Sequence, residues 1–139
     1  MIGSILSGKK PVISVSVDTS VSTVIHLLHD HRIGAVLVMD GESIAGLVSE
    51  RDICRCLHSH GAAVLDAPAG QIMTAPVITA SPHISVAAAM EIMTDRRFRH
   101  LPVVDSGRIL GIVSIGDLVK QRIEEAEAEA EAMKQYIAS

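Results

Sequence analysis

The residues best suited to chemistry occur twice. Gly46-Leu47-Val48-Ser49-Glu50-Arg51-Asp52 is echoed by Gly111-Ile112-Val113-Ser114-Ile115-Gly116-Asp117. In each, an apolar run ends in a serine, and an aspartate follows three residues later. If a helix starts at that serine, its free backbone N–H groups and the hydroxyl can hold a phosphate. The aspartate can accept two hydrogen bonds from a vicinal diol such as that of a ribose. Ser-x-x-Asp is also close to a capping box, in which hydroxyl and carboxylate serve only the helix's own N–H groups. The pattern leaves both roles open, and they are compatible.

Other reactive residues form no recognisable set. Of seven histidines, His26 and His29 can share a helix face, but no Cys/His/Asp group at ligand spacing completes a metal site. No serine stands in a nucleophile elbow. Cys54 and Cys56 lack an obvious histidine partner, and at a spacing of two they do not face each other on a helix. No catalysis is expected, and the thiols read as small hydrophobes in a reducing compartment.

The elements that must position the two serines come from a duplication. Shifted by 65 residues, 11–53 and 76–118 align without a gap and are identical at 15 of 43 positions, too many for an accidental match. In the first copy Val12–Val17 reads as a strand, and Ser20 as the cap of a helix carrying Val21, Val24, Ile25 and Leu28. Ala35–Met39 reads as a buried strand, Asp40-Gly41 as a turn, Ile44–Val48 as the hairpin partner, and Glu50–His58 as a helix ended by Gly61. The second copy predicts a strand at Val77–Ala80, a helix at Ser85–Asp95, strands at His100–Val104 and Ile109–Val113, and a helix from Ile115. Short helical pieces precede each unit, at Ile2–Ser7 and Pro68–Met73. The expected class is α+β: two β-α-β-β-α repeats packed with pseudo-twofold symmetry, because one unit of this size buries little core alone, plus a long C-terminal helix. The expected division is a first repeat over 1–60, a linker over 61–69, a second repeat over 70–120 and an acidic helical extension over 121–139.

Gly-Leu-Val-Ser-Glu-Arg-Asp at 46–52, Ile-Met-Thr at 72–74 before Val-Ile-Thr at 77–79, Arg-His-Leu-Pro-Val-Val-Asp at 99–105 and Gly-Ile-Val-Ser-Ile-Gly-Asp at 111–117 together resemble a tandem pair of CBS motifs, a Bateman module. The resemblance covers residues 1 to about 120. It implies a regulatory module that binds an adenine-containing ligand, such as AMP, ADP, ATP, NAD(H) or S-adenosylmethionine, in clefts between the repeats and signals to a partner protein. By similarity Asp52 and Asp117 would take the ribose hydroxyls. Ser49 and Ser114, with Glu50, Arg51, Ile115 and Gly116, would line the phosphate path beside Ile112. Ile13, Thr74 and Ile78 would flank the base. The resemblance also implies a homodimer.

The copies differ in ways that matter. Arg99-His100 replaces Gly34-Ala35, and either side chain can pair with a phosphate or simply be solvated. Glu50 stands where the second copy has Ile115 and would oppose a phosphate. Unequal sites are therefore expected, with the Asp117 site the better. The rival expectation is a structural dimerisation module whose junctions are only capped.

Composition narrows the partners. The chain is 139 residues long, 48% hydrophobic and 20% charged, which suits a folded core. Its net charge of −4 comes from the tail, where Glu124, Glu125, Glu127, Glu129 and Glu131 meet only Lys134; the remaining 11 acidic and 11 basic residues balance. No basic surface is implied, which argues against a nucleic-acid strand. Phe98 and Tyr136 are the only aromatics, so base-stacking platforms are excluded. No leader pattern begins the chain and no apolar run approaches the ~20 residues of a membrane span, so a cytoplasmic location is expected. In the tail, Ile123, Ala126, Ala130, Met133 and Ile137 recur at heptad spacing, suiting either a solvated helix or one that pairs with a second chain.

Overall fold

The structure is a computed structural model that describes residues 1–138. It divides into two compact units, residues 11–77 and residues 1–10 together with 78 onward.

The first unit is built around a small sheet. β1 (Ser14–Ser16) runs parallel to β2 (Ala35–Asp40), and β2 pairs antiparallel with β3 (Ser43–Ser49) through a turn with Gly41 at φ +61. That left-handed turn position explains the glycine. α1 (Val21–His31) starts at Ser20, whose hydroxyl accepts from the Thr23 N–H, and buries Val21, Val24 and Leu28. These residues meet Val36, Val38 and Val48 from the sheet. α2 (Glu50–His60) follows β3 directly and ends at Gly61. Residues 61–66 form a 3-10 turn and α3 spans Ala69–Ile72; Val64, Ala69 and Ile72 all enter this core.

The second unit repeats the scheme with α4 (Val86–Arg96), β4 (His100–Asp105), β5 (Arg108–Ser114) and α5 (Ile115–Ala138). The two hairpins share even their irregularity, a register shift at Val38/Met39 and at Val103/Val104. Leu101, Val103, Val113 and Leu118 are fully buried against Val86, Ala89 and Met93. Each such aliphatic side chain contributes about 1.5–3 kcal/mol through burial.

One expected element does not form. Val77–Ala80 is not a strand; only Ala80 bridges to Val103. The cause is Pro102. In the first copy the Leu37 N–H donates to the Ile13 carbonyl at 3.3 Å. Pro102 holds the Leu37 position and has no N–H to give Ile78.

The pieces that precede the repeats pack crosswise. Residues 68–74, just upstream of the second repeat, pack into the first unit, and the 3-10 helix at Ile2–Gly8, upstream of the first repeat, packs into the second unit with Ile2 fully buried. Glycines on the hairpins make room. A Cβ on Gly46 would lie 2.5 Å from Met73 Sδ and 2.9 Å from the Thr74 carbonyl, and one on Gly111 would lie 2.7 Å from Leu6 Cδ2. Among the described residues no helix is long and apolar enough to cross a membrane.

Candidate functional site

Both serine junctions are capping boxes. At the first, the Ser49 N–H donates to Asp52 Oδ2 at 2.9 Å, and the Asp52 N–H donates to Ser49 Oγ at 3.3 Å. At the second, the Ser114 N–H donates to Asp117 Oδ2 at 2.8 Å, and the Asp117 N–H donates to Ser114 Oγ at 3.1 Å. Strand ends and helix begins at that serine because the carboxylate and hydroxyl satisfy N–H groups that a helix start would otherwise leave open.

The remaining contacts separate the two aspartates. Asp52 is 4% exposed. Its Oδ2 also accepts from the Ser49 hydroxyl at 3.0 Å, and its Oδ1 accepts from Arg55 at 2.9 Å and from the Thr74 hydroxyl at 3.0 Å. A carboxylate offers about four lone-pair directions, and four donors fill them. Asp117 has its side chain 27% exposed, and its Oδ2 accepts from the Ser114 N–H and from the Lys9 ammonium. Lys9 also donates to the Ile112 carbonyl at 2.9 Å.

Lys9 carries no motif, and the motif reading missed it. The 65-residue offset, carried upstream of the aligned segments, would have found it, because Lys9 is the counterpart of Thr74. Each comes from the segment that precedes a repeat and reaches the capping aspartate of its unit. The Thr74 backbone exchanges two hydrogen bonds with Leu47, and Ile112, which holds Lys9, is the counterpart of Leu47. A neutral hydroxyl in one copy is thus a cation in the other.

The other candidates fall around these two centres. In the first unit Ile13 is half-buried against the core beside β1, and Arg51 is exposed on the first turn of α2. Glu50 lines an open cleft of about 600 Å³ with Leu28, His29, Asp30, Arg32, Ile33 and Gly34. Two carboxylates and two basic side chains share that cleft, so it has no uniform sign to recruit an anion. In the second unit the Arg99 carbonyl accepts the Ile115 N–H at 2.8 Å, and His100 pairs with Ser114 in the hairpin register. This places Arg99, His100, Ser114, exposed Gly116 and Asp117 at one end of the β4–β5 hairpin, with Arg99 exposed. Ile78 packs against the second core and belongs to no strand.

Electrostatics follow the geometry. Burial pushes the Asp117 carboxyl upward, but the Lys9 ammonium and the Ser114 N–H outweigh it and hold the group below the ordinary aspartate value. A carboxylate lowered in the folded state stabilises the fold at pH above its unfolded value near ~3.9, and the gain disappears as pH falls through the folded value. The stability difference between the native chain and Asp117→Asn is therefore expected to be largest at neutral pH and to shrink steadily on acidification below about pH 4, read from urea midpoints at each pH. A difference that is flat across this range would deny the ion pair its role.

The fold and the junctions match known proteins. The profile of the CBS domain family matches residues 2–59 and again 69–124. A mitochondrial CBS domain-containing protein of Arabidopsis thaliana is 34% identical over 125 residues, which is 86% of this chain and 61% of that protein. The chain therefore spans about three fifths of that relative's length. Among solved structures, a CBS-domain containing protein from Agrobacterium tumefaciens superposes with a TM-score of 0.83 at 38% identity, covering 87% of this chain and 98% of that one. A CBS domain protein from Pyrobaculum aerophilum, solved in complex with AMP, gives 0.74 at 30% identity over 84% of this chain and 88% of that one. The duplicated hairpins and their paired serine junctions thus have a common origin: the chain belongs to the CBS domain family.

Proposed function

We propose that the chain is a non-catalytic regulatory module that binds one adenine nucleotide at the Asp117 junction and signals through contact with a partner protein. The observation that carries this reading is the state of Asp117. Its carboxylate is partly exposed and carries a cation, Lys9, that a ligand can displace, whereas Asp52 is buried and its lone pairs are filled. A ribose diol can approach this partly exposed carboxylate and displace or share the Lys9 bond at Oδ2. Arg99 and His100 lie at the same hairpin end to meet a phosphate. The AMP complex of the Pyrobaculum relative supports an adenosine ligand. Free Cys54 and Cys56, the former exposed, fit a reducing compartment such as the cytoplasm.

A second reading has its own observation. Both Ser-x-x-Asp pairs already act as capping boxes, which suits a structural module with no physiological nucleotide. Calorimetric titration with AMP, ATP, NAD and S-adenosylmethionine separates the two. The expected result is one adenine ligand bound per chain, with about 2.7 kcal/mol of added stability at 100 times its dissociation constant. Two equal sites would overturn the assignment to Asp117, and no binding of any of the four would leave the structural reading standing.

A further inference from the structure

α5 is 24 residues long, about 36 Å at 1.5 Å per residue, and its body contacts are confined to its first turns. Leu118 is buried, Gln121 and Glu125 on the same face are half-buried, and residues 126–138 are all exposed. The opposite face carries Val119, Ile123, Ala126, Ala130, Met133 and Ile137, alternating by four and three. Val119 is 41% exposed, Ile123 53%, Met133 64% and Ile137 78%. Scattered exposed aliphatics need no explanation, but an unbroken seam over nearly three heptads does.

We propose that this seam is a docking surface for α5 of a second copy of the chain, in parallel and in register. The charges beside the seam select that occupant. With Ile123, Ala130 and Ile137 as heptad position a, and Val119, Ala126 and Met133 as d, position e holds Lys120, Glu127 and Lys134. Position g holds Arg122, Glu129 and Tyr136. In a parallel pair, g of one heptad faces e of the next on the other helix. Arg122 then meets Glu127, and Glu129 meets Lys134, each twice by symmetry. An antiparallel pair that buries the whole seam sets Glu127 on Glu127, Glu129 on Glu129 and Lys120 on Lys134, so its flanking like charges repel. In the single chain Arg122 makes a 3.4 Å surface contact to Glu125, which is weak enough to release. Ala126 and Ala130 in mid-seam let the two backbones approach closely. The proposal is independent of any nucleotide.

The test uses the full chain with Cys54→Ser and Cys56→Ser, so that introduced thiols are the only ones. Under mild oxidation Ala126→Cys is expected to form a disulfide-linked dimer, because parallel register puts the position against itself. Ala128→Cys, on the outer face, should stay unlinked. In sedimentation equilibrium Glu129→Lys should weaken self-association by about fivefold or more, since it places two pairs of like charges at the flank. Adding Lys134→Glu to it should restore the native constant. Crosslinking that appears only when Ala126→Cys is mixed with Ala130→Cys would mean antiparallel helices and overturn the proposal. So would self-association indifferent to both charge changes, or a native chain still monomeric at about 1 mM. Helicity by circular dichroism confirms that each variant is folded, as expected for substitutions at exposed helix positions.

Discussion

Asp52→Ala is expected to cost about 3 kcal/mol of stability, measured by urea unfolding followed by circular dichroism. The size follows from what the carboxylate holds. Losing it removes half of the capping box on α2 and leaves the Ser49 N–H without its acceptor. It also frees the Thr74 hydroxyl and so loosens the segment that carries Ile72 into the core. Arg55, 60% exposed, can turn to water and contributes little to the loss. Asp52→Asn should also destabilise, though less, because its amide oxygen can keep only one side's partners and its nitrogen cannot accept from the others, either Ser49 or Arg55 and Thr74. A cost below about 1 kcal/mol would mean that water readily replaces these partners, and Asp52 would then be as available to a ribose as Asp117.

Asp117→Ala should show the reverse balance. Stability is expected to fall by only about 1 kcal/mol, the worth of an exposed cap. AMP affinity should drop about 100-fold, as when two charge-assisted hydrogen bonds to a diol are lost. Calorimetry on the folded variant reads this directly. The double comparison is informative because the two residues are equivalent by sequence. If Asp52→Ala abolished nucleotide binding in a chain that remained folded while Asp117→Ala did not, the assignment of the ligand to the second repeat would be wrong.

Most of the framework was legible because local signals agreed. Ser20 and Ser49 cap helices where the pattern placed them, and the hairpins turn at Asp40-Gly41 and Asp105-Ser106-Gly107. The failure at Val77–Ala80 came from reading the run by itself. Its apolar character is right for a strand, but its partner position is Pro102, and a missing N–H on the neighbour is not visible in the run. The Ser-x-x-Asp pairs could be read as chemistry or as caps, and the geometry makes both of them caps. What separates Asp52 from Asp117 was hidden, because Thr74 and Lys9 arrive from 22 and 108 residues away. No periodicity or spacing within a motif encodes such a meeting. Only the duplication, followed upstream of its best-aligned part, carries a trace of it.

The crosswise packing of the leading segments also orders events during synthesis. Residues 11–77 form a contiguous unit, so everything the first repeat needs has left the ribosome before the second is complete. The other unit cannot close early. Its opening residues, with Ile2 fully buried and Lys9 bound to Asp117, must wait for β5 and α5 to emerge about a hundred residues later. Until then the Ile2–Gly8 segment keeps its apolar face unsatisfied. Vectorial folding therefore completes residues 11–77 first, and residues 1–10 join the segment from residue 78 onward only later.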